Sequence, residues 1–234
     1  MPGLRLMDRF SVFENVLAGR SRNLCELTQC VGEMGRPGSV LAILRDIVDD
    51  DEQLTRSARL SSTHPLGFDK LVLHSTAHYQ VRLHVWWPHL TPQREDIHDH
   101  RFDFISSVVT GRLYVENYAR SAAAAKMMSG YAEMHTLGTG SYDFSPLGSL
   151  EISQIGSSIL QAGSVQFTSA EILHRVRATA GELTVTFFVK APVAGRARTT
   201  VLISDDAEPP AKVGGAMLTA DGFRERIATV LTAL

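Results

Sequence analysis

The chain has 234 residues, of which 44% are hydrophobic and 21% are charged, the composition of a globular protein that can bury a sizeable core. Basic residues number 23 and acidic residues 25, which gives a net charge of −2. The basic footprint of nucleic-acid-binding proteins is therefore absent. No apolar stretch approaches the roughly 20 residues that span a bilayer. Composition and charge argue against nucleic-acid and membrane partners.

The two cysteines, Cys25 and Cys30, are too few for a disulfide framework, and their spacing is not that of zinc ligands. The segment Met1–Phe10 mixes charged residues among its apolar ones, unlike a signal peptide. We therefore expect free, reduced thiols in a cytoplasmic protein.

The first 66 residues are predicted to form a helical segment. Apolar residues recur there at helical spacing, at Phe10, Phe13, Val16 and Leu17 and again at Leu41, Leu44, Ile47 and Val48. Between these stripes, Gly35–Gly38 is expected to form a turn and Ser39 to act as an N-cap. The acidic run Asp49–Glu52 follows the second stripe and is expected to be a solvated face.

Residues 67–204 have a different rhythm, with short alternating segments and frequent glycine. The strand candidates are Leu71–Leu73, Tyr79–Trp87, Phe104–Asn117, Ser149–Ile155, Ser164–Thr168, His174–Arg177 and Leu183–Lys190. Many short strands separated by turns indicate a β-sandwich or barrel. The alanine-rich Ser121–Lys126 is expected to be a loop or a short helical turn. Residues 205–234 contain a linker signal, Pro209-Pro210, and a closing helix predicted over Phe223–Leu231.

A histidine pair provides the first chemical signal. The segment Ile97-His-Asp-His100 directly precedes the strand candidate that begins at Phe104. In a strand, residues two apart point to the same face, so His98 and His100 aim two imidazoles at one point. Imidazole is a good ligand for iron, copper, nickel and zinc. A His-x-His pair alone is a weak signal for metal binding, so the neighbouring sequence must support it.

Two segments together resemble the two motifs of the cupin superfamily. The pair His98-x-His100 with apolar residues up to Gly111 has the spacing of the first motif, and Gly163–His174 has that of the second. The resemblance implies a mainly β fold, a double-stranded β-helix barrel (jelly roll) with N-terminal helices and a short C-terminal helix. It also implies His98, His100 and His174 as metal ligands. The alternative is a barrel whose histidines only pack or form hydrogen bonds.

One departure from the cupin pattern concerns the glutamate that often follows the histidine pair. Phe104 occupies that position here, and Asp103 has an odd offset from His100 that places it on the other strand face. The site is therefore expected to hold a divalent ion on neutral ligands. Such an ion keeps its charge of about +2 and favours an anionic ligand beside dioxygen.

Within the cupins, the chain resembles the cysteine dioxygenase family of thiol dioxygenases over most of residues 40–193. The matching segments are Val40–Leu60, Phe68–Val72, Ile97–His100, Gly111–Leu113, Leu173–Val176 and Val185–Val189 followed by Ala191-Pro192. This resemblance implies iron(II) on the three histidines, with zinc, nickel or manganese as alternatives. It also implies a small-molecule substrate and dioxygen as partners, and leaves the oligomeric state open.

The substrate-binding residues of that family are replaced. Lys70 is the nearest match to the arginine that grips the substrate carboxylate, and a lysine provides a point charge without the bidentate fork. Lys190 aligns with the active-site tyrosine and Ile105 with the cysteine that some members crosslink to it. These exchanges argue against free L-cysteine as substrate. Arg82 and Tyr114 are further candidates for orienting a polar substrate inside the barrel.

Neighbouring residues have weaker assignments. His84 has the strand parity of Arg82 and either lines the cavity or packs as an ordinary strand histidine. Arg101 and Arg175 each follow a predicted ligand directly and are expected to point away from the site because neighbours alternate faces.

Three functional hypotheses follow. The leading one is a mononuclear non-heme iron(II) dioxygenase that binds a small thiol or related anion and, for a thiol, delivers both oxygen atoms to sulfur to give a sulfinate. The second is a non-oxidative metal-dependent isomerase, lyase or hydrolase, since one cradle hosts many reactions. The third is a non-catalytic ligand-binding cupin, which the replaced arginine and tyrosine favour.

Overall fold

The structure is a computed structural model that describes residues 6–18, 23–64, 67–90, 95–120, 126–136, 141–193, 198–203, 213–214 and 216–234. Its helices are α1 (Leu6–Ala18), α2 (Leu24–Met34), α3 (Pro37–Val48), α4 (Asp51–Ala58) and α5 (Ala220–Ala233). Its strands are β1 (Ser62–His64), β2 (Phe68–Ser75), β3 (Gln80–Trp86), β4 (Ile97–His98), β5 (Phe102–Thr110), β6 (Arg112–Arg120), β7 (Lys126–Thr136), β8 (Ser141–Gln161), β9 (Val165–Thr168), β10 (Leu173–Ala178), β11 (Thr184–Val193), β12 (Thr199–Ile203), β13 (Val213–Gly214) and β14 (Ala216–Met217).

The strands form two antiparallel sheets. The first has the order β14-β1-β2-β3-β11-β5-β9 and the second the order β13-β8-β6-β10-β4-β12-β7. Strands that are distant in sequence lie side by side in both sheets, as when β11 pairs with β3 on one edge and β5 on the other. The predicted mainly β double-stranded β-helix with N-terminal helices and a C-terminal helix is confirmed.

The outer face of the first sheet packs against the helices. Leu71, Leu83 and Phe187 on neighbouring strands share one hydrophobic cluster with Phe13 of α1 and Phe223 of α5, and all five side chains are fully buried. Burying each of these side chains contributes roughly 1.5–3 kcal/mol. The helices therefore belong to the same core as this sheet. The division of the chain at residues 66 and 204 stays a prediction.

The inner faces of the two sheets meet each other. Side chains alternate along a strand, so the residues between those of the helix-facing core point towards the second sheet. There they form a second cluster in which the first sheet contributes Phe68, Trp86 and Val108 and the second contributes Leu113, Val115 and Ala178. This cluster closes one end of the barrel.

The second sheet curls back on itself. Strand β8 pairs with β6 through residues 152–161 and with β7 through residues 141–152. Because β7 also pairs with β12, this contact closes a ring of strands. A third cluster, which includes Ile97, Leu173 and Leu202, lies on the face of these strands away from the first sheet.

The start of helix α3 differs from the prediction in its capping residue. Helix α3 begins at Pro37 with Arg36 as N-cap, whereas the Ser39 hydroxyl donates to the carbonyl oxygen of Glu33 at 2.9 Å. Proline suits the first helical position because its missing N–H would have no partner there. The expectation that Ser39 is the N-cap is therefore wrong.

The acidic run after α3 also has a structural role. The Asp50 side chain accepts a hydrogen bond from the Gln53 backbone N–H at 2.9 Å and caps α4. The acidic residues of the first turn, Asp51 and Glu52, suit the positive end of the helix dipole. The run is thus a helix start as well as a solvated face.

Several strand boundaries also differ. The candidate Phe104–Asn117 is two strands, β5 and β6, joined at Gly111 with φ of 78°. Of the alanine-rich segment, Lys126 begins β7 and the rest lies outside the described residues, as does Pro209-Pro210. The closing helix is confirmed and is longer than predicted, with Thr219 as its N-cap.

Among the described residues, none of the helices combines the length and the apolar character needed to cross a bilayer.

Candidate metal centre

Two of the predicted ligands face each other across a strand pair. His174 in β10 lies directly opposite His98 in β4. Directly opposite residues of an antiparallel pair project to the same face, and here that face carries Val176 and Ala178 towards the barrel interior. On the other edge of the short β4, Val201 of β12 pairs with His98. The backbone on both sides thus fixes the position of His98.

The third ligand lies beyond the end of β4. His100 belongs to the segment between β4 and β5, and its backbone N–H donates to the carbonyl oxygen of Ala170 at 3.3 Å. Ala170 lies between β9 and β10, so the connection that precedes His174 also positions His100.

The imidazole rings converge. Ring centroids are 4.9 Å apart for His98 and His100, 4.8 Å for His98 and His174, and 5.0 Å for His100 and His174. One ligand atom from each ring lies within 4.8 Å of the others. Bonds of about 2.0–2.1 Å from three nitrogens to one ion correspond to separations of roughly 3–3.5 Å, so the rings would move closer together on binding an ion. The donors fit one transition-metal ion.

Backbone carbonyls set the tautomer of two ligands. The Nδ1 atom of His98 is 2.9 Å from the carbonyl oxygen of Asp96, and that of His174 is 3.0 Å from the carbonyl oxygen of Ile172. A carbonyl oxygen only accepts, so the ring proton belongs on Nδ1 and the Nε2 lone pair is left for a metal. Such second partners orient ligating histidines in metalloproteins.

Burial keeps the three rings neutral. Loss of solvation lowers the pKa of His98, lowers that of His100 well below its usual value, and lowers that of His174 to about 3. Repulsion from neighbouring imidazoles adds to the effect for His100 and His174. A metal therefore competes with no bound proton at neutral pH.

Carboxylates near the histidines in sequence are engaged elsewhere. Asp99 is buried and accepts a hydrogen bond from the Thr200 backbone N–H at 2.6 Å, and Asp103 accepts one from the Ala170 backbone N–H at 2.8 Å. Of the Asp, Glu, Cys and His residues that the structure describes, the histidines form the cluster by themselves. The expected set of three neutral ligands agrees with this arrangement.

Aromatic rings line the side of the cluster that faces the first sheet. The ring of Phe104 lies edge-on to His100 at 5.0 Å, and that of Phe102 stacks on His100 at 5.1 Å. Phe188 stacks on Phe104 at 4.6 Å and contacts His84 at 4.7 Å. Phe104 thus replaces a potential carboxylate ligand with an apolar wall that limits access of water. His84 packs against Phe188 and also against Phe68 and Trp86, in agreement with the second of its two assignments, an ordinary packed strand histidine.

Three of the predicted substrate-binding residues lie on the inner face of the first sheet. Lys70 in β2 lies opposite His84, and Lys190 in β11 lies opposite Gln80, so both flank Arg82 of β3. Burial, followed by repulsion from Arg82, lowers the pKa of each lysine to about 8. The structure therefore brings these cations together, next to the aromatic wall.

Removing one of these charges should stabilise the fold. A lysine whose folded-state pKa is about 8 instead of 10.5 destabilises the protein fully below pH 8, and this cost disappears as pH rises towards 10.5. We expect Lys70→Met to raise the free energy of unfolding by about 1–2 kcal/mol at neutral pH and by far less near pH 10.5. Urea unfolding at both pH values measures it, with the exposed Lys126→Met as control. A loss of stability at neutral pH would contradict the prediction.

Tyr114 is not brought to the site. Its side chain is 37% exposed, and the Arg177 guanidinium lies over its ring at 5.1 Å. Its neighbours Leu113 and Val115 point inwards, so alternation directs Tyr114 to the outer face of the second sheet. The expectation that Tyr114 orients a substrate inside the barrel is therefore wrong, because its side chain lies on the outside.

The two arginines that follow the ligands are also described. Arg175 forms an ion pair with Glu116 and lies over the Tyr118 ring at 5.4 Å, on the face away from His174. Its predicted outward orientation is confirmed. Arg101 is partly buried. Its charge adds to the burial that lowers the pKa of Lys190, and it offsets part of the burial that raises the pKa of Glu133 to about 7.

Two residues near the site were not identified from the sequence. Asn117 of β6 lies directly opposite His174, and its buried Oδ1 has no hydrogen-bond partner among the described residues. His64 of β1 stacks on Phe68 at 4.5 Å, and burial, with the charges of Lys70 and His98, lowers its pKa to about 3. Only the pairing of distant strands reveals both residues, so local sequence carries no signal for them.

Comparisons with known proteins find similarity in structure but not in sequence. No protein-family model matches it, and no curated protein is significantly similar to it in sequence. Solved structures that it resembles include an RmlC-like cupin from Shewanella frigidimarina, at 12% identity over 58% of this chain and 85% of that chain, with a TM-score of 0.35.

Two enzymes of named activity are also similar in structure. The dimethylsulfoniopropionate (DMSP) lyase DddQ from Ruegeria pomeroyi has 12% identity over 60% of this chain and 54% of that chain, with a TM-score of 0.36. Hydroquinone 1,2-dioxygenase from Sphingomonas sp. TTNP3 has 11% identity over 53% of this chain and 66% of that chain, with a TM-score of 0.34. This chain also resembles another DMSP lyase structure, of which it covers 50%.

Proposed function

We propose that the protein is a mononuclear non-heme iron(II) dioxygenase that acts on a small thiol or a related anionic substrate. The observation that carries the proposal is the convergence of three neutral imidazoles, His98, His100 and His174, with no carboxylate of the described residues in the cluster. Iron, when bound, would supply the redox chemistry with dioxygen. Neutral ligands leave the charge of the ion uncompensated, which favours an anionic substrate.

The protein's own residues would bind and orient the substrate. Lys70, Arg82 and Lys190 offer positive charge to an anionic group of the substrate, on the inner face of the first sheet. Phe102 and Phe104 shield the adjacent ligand rings from water. At a site with little water, charge–charge attraction is stronger than in solution, which would hold a small substrate in one orientation.

Oxygen uptake by the iron-loaded protein tests the proposal. We expect an oxygen electrode to record consumption that depends on one of a series of small thiols and thiol-free analogues, with sulfinate as the product of a thiol. The His174→Ala variant, treated with iron in parallel, is the control and should consume none. Uptake that stays at background for every compound, in protein with one iron per chain, would contradict the dioxygenase proposal.

A second candidate is a non-oxidative metal-dependent lyase, isomerase or hydrolase. Lys70 and Lys190 favour it, because a lysine with a pKa of about 8 exchanges protons near neutral pH and can serve as a general acid or base. Turnover of a substrate without oxygen, by protein loaded with zinc, nickel or manganese, would support this candidate over the dioxygenase.

A further inference from the structure

A set of three cations shares the inner face of the first sheet. Strand β3 lies between β2 and β11 and presents Gln80, Arg82 and His84 on one face. Lys70 pairs with His84 and Lys190 pairs with Gln80, so each lysine is one diagonal step from Arg82, about 7–8 Å between Cα atoms. We call these three residues the cation triad.

The cation triad lies one aromatic ring away from the histidine cluster. The Lys190 Nζ lies 4.6 Å from the centre of the Phe102 ring, and the Arg82 guanidinium lies 5.9 Å from it. The same ring stacks on His100 at 5.1 Å. A molecule of a few atoms could therefore reach both a metal on the histidines and the charges of the triad.

The two lysines of the triad have no carboxylate partner among the described residues. Asp69, next to Lys70 in sequence, accepts hydrogen bonds from Trp87 and Arg226, each at 2.7 Å, on the other face of its sheet. Burial, followed by repulsion from Arg82, lowers the pKa of both lysines. A lysine rarely loses most of its contact with water without gaining an anionic partner, so the two lysines call for a ligand.

One negative charge would not balance the two lysines. A monocarboxylate would neutralise half of their charge and leave the rest repelling Arg82. A doubly charged group has oxygens enough for both ammonium groups and the guanidinium at once, and charge-assisted hydrogen bonds are the strong ones.

We infer that the substrate carries a doubly charged oxyanionic group, either phosphoryl or a pair of carboxylates, which binds the triad Lys70, Arg82 and Lys190 while its other end reaches the metal on the histidines. The inference deepens the proposed function and rests on it for the existence of a metal-bound substrate. The triad would then determine substrate specificity, because it selects molecules by the charge of the group remote from the reacting atom.

Calorimetric titration of the full chain loaded with zinc tests this inference without any redox step. We expect malonate or phosphate to bind at least about 10-fold more tightly than acetate. Lys70→Met and Lys190→Met should each weaken that binding about 10-fold or more, since each removes a charge-assisted contact. Lys190→Arg, which keeps the charge, should weaken it less, and Arg177→Met, on the outer face, should not change it. The relative affinities of malonate and phosphate distinguish the two chemistries.

Two outcomes would overturn the inference. One is acetate that binds as tightly as either dianion, or lysine variants that keep wild-type affinity. The other is dianion binding that disappears in His174→Ala, which would place the anion on the metal instead of the triad. Failure of the proposed function has a different signature. A protein that binds dianions through the triad but consumes no oxygen would contradict the dioxygenase and leave this inference standing.

Discussion

Replacement of His174 by alanine is expected to abolish metal binding while the barrel stays folded. The variant removes one of three ligands, and even outer-shell partners of ligands are worth about 10–100-fold in metal affinity, so we expect a loss of at least about 100-fold. The fold should survive because the strand that carries His174 is held by backbone pairing from Leu173 to Ala178 along β6. Metal content after reconstitution and dialysis measures the loss, and circular dichroism measures the fold.

His84→Ala is the matched control. Its imidazole is buried on the inner face of the first sheet, contacts Phe188 and has a pKa lowered by burial, yet it is not part of the ligand cluster. This variant should keep about one metal ion per chain although it loses packing. Full metal content in both His98→Ala and His174→Ala would show that the metal binds elsewhere.

The sequence predicted that His98, His100 and His174 converge, and the structure brings them together, but the local reason differs for one of them. The prediction placed His98 and His100 on one strand face by their separation of two residues. In the structure β4 ends at His98, and His100 lies beyond it, held by the carbonyl oxygen of Ala170. The His-x-His spacing therefore corresponds to a short strand that ends at His98, followed by a backbone hydrogen bond that positions His100. The two imidazoles still converge.

Alternation along a strand predicted correctly which side chains share a face of the sheet. It did not predict which of the two faces points into the barrel. It placed Asp103 and Arg175 on the faces opposite to the ligands, and both form contacts there. For Tyr114 it could not say which of the two faces looks inwards, and the residue lies outside. The reason is that parity is a local property, whereas the inward direction depends on which sheet lies opposite.

The remaining features depend on strand order, which local sequence does not contain. The cations Lys70 and Lys190 are 120 positions apart in the sequence, and only the pairing of β3 with both β2 and β11 brings them to Arg82. The orphaned oxygen of Asn117 becomes relevant only because β6 pairs with β10. The sequence analysis did not predict strand β7. It also did not predict the end of β5, because the alternating pattern of Phe104–Asn117 continues through the turn at Gly111.

That turn gives the second large expected effect. Gly111 has φ of 78°, and a Cβ added there would meet the Thr184 hydroxyl oxygen, with the carbonyl oxygen of Leu183 at 2.5 Å and the Cα of Thr184 at 2.7 Å. A positive φ costs a residue with a side chain about 1–2 kcal/mol, and backbone atoms cannot rotate away from a clash as a flexible side chain can. We expect Gly111→Ala to lower the free energy of unfolding by about 3–5 kcal/mol, measured by urea unfolding.

Gly163→Ala separates the two causes of this loss. Gly163 has a similar φ of 87°, but an added Cβ would have nothing within 4 Å, so only the backbone term of about 1–2 kcal/mol should remain. The difference between the variants therefore measures the close approach of the segment Leu183-Thr184 to the β5–β6 turn. That approach brings the start of β11, the strand that carries Phe188 and Lys190, against the turn between β5 and β6. Equal losses in the two variants would contradict it.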